Sequence, residues 1–215
     1  MDYLISVVVF SISASVTPGP NTIMAMASAV SFGVRKSLPL LLGISIGFSI
    51  MLFIVGLGFE HVLYLFPRLT IYIKIIGIVY LLYLAFVIAN SGEGNKNFKY
   101  DKPLSFSKGL LLQWVNAKAW IICISAVSSY TTAGNSYISQ ILLLTCIFLI
   151  VGPICVGIWV FLGAFLKKHF ASSKYIRRFN MIMAILLILS ITPVIKDLWL
   201  HDVKQQLYSY VYQNT

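Results

Sequence analysis

Thr17-Pro18-Gly19-Pro20-Asn21 stands in the middle of a stretch that carries no charge between Asp2 and Arg35. A run of that length exceeds the ~20 apolar residues that cross a ~30 Å hydrocarbon core. Pro18 falls roughly halfway along it. Proline removes a backbone donor and clashes with the preceding turn, so an unbroken helix here would cost about 3 kcal/mol or more per proline. In lipid, freed backbone groups are tolerated only where protein or a water-filled cavity satisfies them. A helix broken at mid-membrane is therefore the mark of a solute site in a transporter. The plainer alternative is a kink packed against neighbouring helices.

Composition sets the class around this motif. The chain is 59% hydrophobic and 10% charged, with a mean hydropathy of +0.90, which excludes an ordinary soluble domain. Apolar stretches predict an all-α polytopic membrane protein with six spans, at residues 3–32 (interrupted), 38–59, 69–89, 107–130, 138–166 and 178–199. The N-terminus has neither the positive region nor the cleavage site of a signal peptide, so the first span is expected to be retained. The organisation expected is a first three-helix half over 1–90, a cytoplasmic loop over 91–104, a second half over 105–199 and a periplasmic tail over 200–215. This leaves no soluble catalytic domain.

The net charge of +10 reads as a topology signal. Arg35, Lys36, Lys96, Lys99, Lys102, Lys108, Lys167, Lys168, Lys174, Arg177 and Arg178 fall in three alternate loops, whereas only Arg68, Lys196 and Lys204 fall on the opposite side. By the positive-inside rule the eleven-residue side is cytoplasmic and both termini are periplasmic. Some of these lysines suit anionic membrane lipid. Nucleic-acid binding would need a folded polar domain, and none is predicted.

Enzyme chemistry is poorly supplied. Cys123, Cys146 and Cys155 all fall inside spans without a CxxC pair and read as small apolar residues. His61, His169 and His201 lie at span ends, and no HExxH or paired intramembrane carboxylate occurs. No catalytic residue, metal site or cofactor is expected.

Three spans per half means that the second half enters the membrane from the opposite side, an inverted repeat. Span four then corresponds to span one and should carry its own special residues. Gln113-Trp114-Val115-Asn116-Ala117-Lys118 supplies them. Lys118 lies ten residues beyond Lys108, about 15 Å deeper at ~1.5 Å per residue. A lysine at that depth costs roughly 2.5–3.5 kcal/mol on insertion scales and normally faces partners or water. Lys74, nearer an edge, can snorkel.

Thr17-Pro18-Gly19-Pro20-Asn21, Gly33 before Arg35-Lys36, Gly43-Ile44-Ser45-Ile46-Gly47, and Gly77 with Tyr80-Leu81-Leu82-Tyr83-Leu84 together resemble the LysE/RhtB family of amino-acid exporters. Asn116-Ala117-Lys118-Ala119 is similar to that family's Asn-Pro-Lys-Ala motif. The resemblance runs almost the whole length through span six. Residues 17–28 and 102–127 look most like the cysteine/O-acetylserine exporter subgroup, which also lacks the motif's proline. It implies a bacterial inner-membrane exporter of small neutral amino acids or related metabolites, working by alternating access. There are three departures. Ala117 replaces the common proline, so span four is expected to be less broken than span one. Phe48 stands where many members carry an aspartate. The tail from His201 extends past the usual end, and its Leu207, Tyr208, Tyr210 and Tyr212 suit a membrane interface.

An amino acid presents a carboxylate and an ammonium. If the second half of span one starts near Pro20, a favoured first-turn position, its free N–H groups face the midplane and can take the carboxylate, with Lys118 as a further counter-ion. Thr17, Pro18, Gly19, Pro20, Asn21, Asn116 and Lys118 are thus the candidate substrate-binding residues. All six acids lie outside the spans, so the ammonium is left to unwound carbonyls near residues 14–16 and to the amide oxygens of Asn21 and Asn116. Asn21 is read as a ligand and Gln113 as packing. Gly43 and Gly47 form a small-residue face for close helix approach, and Pro153 in span five is a candidate kink or gate. Proton coupling would have to run through Lys118, the deepest titratable group; coupling, a homo-oligomeric state and the choice among metabolites stay open. A structural subunit of a membrane complex is the leading alternative, and an intramembrane enzyme a weaker one.

Overall fold

The computed structural model describes residues 2–59, 67–91, 103–132, 134–169, 172–192, 195–196 and 198–199. All regular structure among them is helical. Helix α1 (Asp2–Val16) and helix α2 (Pro20–Phe32) form one bent pair, followed by α3 (Val34–Ile54) with a short π turn over Val55–Phe59. Then come α4 (Pro67–Ala89), a second bent pair of α5 (Phe106–Val115) and α6 (Ala117–Tyr130), the long α7 (Tyr137–His169) and α8 (Ser173–Leu189).

The order of elements therefore repeats: bent pair, long helix, final helix. The two sets also interlock. α1 and α2 pack on α7 of the second set, and α5 packs on α3 of the first, while α3 and α7 pack on each other. Helices α4 and α8 close the bundle alongside. α3, α4 and α7 are each long and apolar enough to cross a membrane, and with each bent pair taken as one span there are up to five among the described residues.

The sixth expected span differs from expectation. α8 starts at Ser173 rather than 178 and stops at Leu189, giving 17 residues, at the short limit of ~17–25 for a spanning helix. Beyond Leu189 the chain leaves the helical ladder in a turn at Ser190 and Ile191. The last turn tightens there, with Ser190 Oγ donating to the Leu187 carbonyl at 2.6 Å and Ile191 N–H to the Ile188 carbonyl at 3.0 Å. Most of the expected 91–104 loop and the whole 200–215 tail lie outside the described residues.

Polar ties mark the two ends of the bundle. At one end the Lys167 ammonium donates to the Ser31 carbonyl at 2.9 Å, and Asn180 Nδ2 donates to Ser31 Oγ at 2.8 Å and to the Ser91 carbonyl at 2.7 Å. The C-terminal ends of α2, α4 and α7 thus meet the middle of α8, and the basic residues around 35–36, 167–168 and 174–178 lie toward that end. At the other end Tyr3 OH donates to the Tyr130 carbonyl, and Tyr137 OH to the Gly56 carbonyl, both at 2.7 Å.

Two apolar clusters fill the interior. One joins Met24, Leu40, Ile44, Leu84, Leu112, Val156 and Leu187; the other joins Val7, Met51, Leu52, Cys123, Leu144 and Phe148. Where α3 meets α5 the backbones themselves touch. A Cβ on Gly43 would sit 2.0 Å from the Phe106 carbonyl oxygen, one on Gly47 would sit 2.8 Å from Leu110 Cα, and one on Gly109 would sit 2.7 Å from the Leu40 carbonyl oxygen. Any side chain at these positions would force the two helices apart.

Candidate functional site

The first break follows from its prolines. Thr17 N–H still bonds the Ser13 carbonyl at 3.3 Å, but Pro18 and Pro20 have no N–H with which to continue the ladder. Gly19 is fully extended, and α2 restarts with Pro20 in its first position. Thr22 stitches the restart together, its hydroxyl accepting from Gly19 N–H at 2.9 Å and donating to the Gly19 carbonyl at 3.0 Å. The two helices are bent by 56°.

At the second break, Asn116 alone is non-helical, with φ −91° and ψ 102°. Its side-chain oxygen accepts from Lys118 N–H at 3.1 Å, capping α6. The bend is 69°. This corrects the expectation that Ala117, in place of proline, leaves span four less broken: an asparagine that caps one helix while ending another interrupts the ladder without a proline.

Each break is completed by the other. The Lys118 ammonium donates to the Thr17 carbonyl at 2.6 Å and lies 3.5 Å from the Pro18 carbonyl. These carbonyls end α1 and have no partner within it. The neighbouring Val16 carbonyl accepts from Trp159 Nε1 of α7 at 3.1 Å. Gln113 and Asn21 exchange two hydrogen bonds, Asn21 Nδ2 to Gln113 Oε1 at 2.9 Å and Gln113 Nε2 to Asn21 Oδ1 at 3.1 Å. Asn116 Nδ2 adds a third, to Asn21 Oδ1 at 3.3 Å. Gln113 is fully buried and also donates to the Gly109 carbonyl at 3.0 Å. Glycine at position 19 leaves space for this arrangement, since a Cβ there would come within 2.9 Å of Lys118 Cδ.

A cavity opens beside these groups, where the two apolar clusters meet. Thr17, Gly19, Asn21, Asn116 and Lys118 form its polar side, and Ile44, Phe48, Phe148 and Val156 contribute apolar wall. Phe48 and Phe148 pack with their rings tilted by 41° and their centroids 5.1 Å apart. The free space is about 40 Å³, far below the ~300 Å³ of a small-ligand pocket. The site is contracted onto its own polar groups, and a solute would have to displace some of them.

The structure thus brings five of the seven candidate residues to one cavity; Pro18 and Pro20 shape its edge instead. Gly43 and Gly47 lie at the α3–α5 crossing. Pro153 lies inside α7, which continues through it from Tyr137 to His169, and the cavity wall on that turn is Gly152. Gln113, read from the sequence as packing, is buried and ties α5 to Asn21. Ser45 and Phe148, which also line the cavity, were not singled out. Ser45 was legible only as a hydroxyl between two helix-contact glycines, and Phe148 carried no signal among so many apolar residues. No group of three or more metal-ligating His, Cys, Asp or Glu occurs among the described residues.

A helical membrane bundle in which two interrupted helices face one another across a polar cavity has the build of a solute transporter. The chain belongs to the LysE type translocator family, whose model matches residues 12–190. It is a transporter and not an enzyme. Among similar proteins are the cysteine/O-acetylserine efflux protein of Salmonella choleraesuis (strain SC-B67), 29% identical over 83% of this chain and 90% of that protein. The cysteine/O-acetylserine efflux proteins of Escherichia coli O1:K1 / APEC and O139:H28 (strain E24377A / ETEC) are 29% and 30% identical over the same shares. No solved structure matches this chain.

Proposed function

We propose that this protein exports small neutral amino acids or related metabolites of the cysteine and O-acetylserine kind, from cytoplasm to periplasm across the bacterial inner membrane. The observation that carries the proposal is the pairing of the two helix breaks at one cavity through Lys118–Thr17 and Asn21–Gln113–Asn116. The names of the relatives point to the same substrates.

In this reading the substrate carboxylate takes the Lys118 ammonium from the Thr17 carbonyl and approaches the first turn of α2, where N–H groups are left free by helix geometry. The carbonyls of Thr17 and Pro18, released from Lys118, then accept from the substrate ammonium. The exchange requires no ion pair to be broken at the site; a lysine–carbonyl contact is replaced by two contacts to a zwitterion, which lets the site discriminate zwitterions from simple anions. Breaking the Lys118 bridge frees the two bent pairs to move against one another, which couples binding to alternating access. Lys118 acts here as a substrate counter-ion, and its retention of charge leaves proton coupling outside the binding step.

The convergence of the 35–36, 167–168 and 174–178 basic residues on one end supports a cytoplasmic assignment for that end, with both termini periplasmic and the six spans arranged as an inverted repeat. Single cysteines placed at Ser91 and at the C-terminus test the orientation: an impermeant thiol reagent added to intact cells should label only the latter. A cytoplasmic C-terminus would refute the six-span arrangement. Transport itself is tested by deleting the gene and measuring extracellular amino acids under cysteine, O-acetylserine, threonine and lysine load. A selective loss of extracellular cysteine and O-acetylserine is expected; unchanged levels of all four would favour a structural role in a membrane complex.

A further inference from the structure

Three serines of α3 are buried, Ser37, Ser45 and Ser49. Two behave as buried helical serines usually do and bond the carbonyl four residues back, Ser37 to Gly33 and Ser49 to Ser45, each at 3.0 Å. Ser45 does not. Its hydroxyl has no hydrogen-bond partner although the residue is 3% exposed, and a buried hydroxyl left unpaired is costly. Ser45 lines the cavity between the helix breaks. Directly across from it on α7 is Gly152, also in the lining. A Cβ built on Gly152 would come no nearer than 3.8 Å to Ser45 Oγ and 3.9 Å to its Cβ, so the absence of a side chain there keeps a small space open in front of the hydroxyl.

The surroundings assign a direction to this group. The other cavity residues of α3 and α7 are Ile44, Phe48, Phe148 and Val156, all apolar. The groups suited to a carboxylate and an ammonium belong instead to the two breaks. Thr22, the other fully buried hydroxyl of the lining, is already engaged with Gly19 on both its donor and acceptor sides. Ser45 is thus a single unsatisfied hydroxyl in an apolar wall, away from the elements that would hold the zwitterion.

We infer that Ser45 is a specificity-determining residue that hydrogen-bonds the side chain of the transported amino acid, in a subsite that Gly152 keeps open. The chemical class selected is a short side chain with one polar atom at the γ position: a hydroxyl, a thiol, or the ester oxygen of an acylated hydroxyl. An isosteric methyl group in that place leaves Ser45 unpaired and is discriminated against. A long or charged side chain does not fit between Ser45 and Gly152. This inference rests on the transport reading above, and it adds which protein group reads the side chain and what it rejects.

The test uses the purified full-length protein in lipid vesicles, measuring the KM and rate of transport for two pairs matched in size, L-cysteine with L-2-aminobutyrate and L-serine with L-2-aminobutyrate, and for L-alanine as the substrate without a γ atom. Wild type should prefer the polar member of each pair. Ser45→Ala should reduce that preference by about tenfold, the size of one hydrogen bond. Gly152→Ala lies on a different helix and meets no clash at Ser45, so it keeps the test decisive if the serine variant does not fold. It should disfavour cysteine relative to alanine by narrowing the space. Unchanged preferences in every variant that folds overturn the role of Ser45 while leaving the transport reading intact. A wild-type protein that moves none of the four overturns both.

Discussion

At the first break Pro18 and Pro20 flank an extended glycine and the chain turns by 56°; at the second a lone asparagine separates two helices bent by 69°. The break with more helix-breaking residues has the smaller bend. Proline sets a floor, since it forbids the straight helix at about 3 kcal/mol each. It does not set the angle. The angle at Asn116 is held by what the freed groups bind: its own oxygen caps α6, its nitrogen reaches Asn21, and the next polar side chain, Lys118, reaches the Thr17 carbonyl. An N-cap asparagine is worth only about 1 kcal/mol, so the second break depends on the first in a way that the first, with its prolines, does not depend on the second.

Lys118→Met should produce the largest effect, because it removes at once a charged link between the breaks and the proposed counter-ion for the substrate. Transport into vesicles should fall by about 100-fold, the upper range for loss of a hydrogen bond to a charged group, and equilibrium binding of cysteine should be lost with it. A variant that binds normally but no longer responds to an imposed pH gradient would make Lys118 a proton carrier instead. Intact binding and intact transport would make the two breaks independent kinks.

Replacing Pro18 and Pro20 together by alanine attacks the first break alone. It lifts the prohibition on a straight helix, so the thermal midpoint in detergent should hold or rise while transport drops by about tenfold or more as the Thr17 and Pro18 carbonyls are drawn into the helix ladder. Wild-type export from this double variant would reduce the motif to a packing device.

Ala117→Pro gives the smallest expected change and the sharpest contrast. Asn116 is already extended, the conformation that a residue before proline prefers, and position 117 is the first of α6, where proline is welcome. Transport should stay within about twofold of wild type, with a gain of about 0.4–1 kcal/mol in stability from a stiffer unfolded chain. Failure of this variant to transport would mean that the second break straightens at some point in the cycle and that its freedom from proline is functional.

The contrast also explains what could be read from the sequence. Helix breaking by Pro18 and Pro20 is a local property, so the first break and both of its flanking helices were legible. Five of the spans were legible from length and apolarity for the same reason. Asn116 and Lys118 stood out as polar residues at depth, but the sharper bend there was not predictable, because a capping asparagine and a mid-helix asparagine look alike until the partner Asn21 is in place. The turn at Ser190 and Ile191, which ends α8 early, was hidden in a stretch still apolar enough to pass as one span. The partner of Gln113 was hidden for a related reason: it is a residue 92 positions away.

The reciprocal completion of the two breaks bears on how the protein is made. α1 and α2 are synthesised and inserted well before α5 and α6 exist, so for that interval the Thr17 carbonyl and the Asn21 amide lack the partners that later satisfy them. Unsatisfied backbone groups are expensive in lipid, and the first bent pair is therefore held near water, or within the insertion machinery, until Gln113, Asn116 and Lys118 arrive. The first half of this protein is thus completed by residues of the second, and the candidate site gains its polar partners only once α5 and α6 have been made.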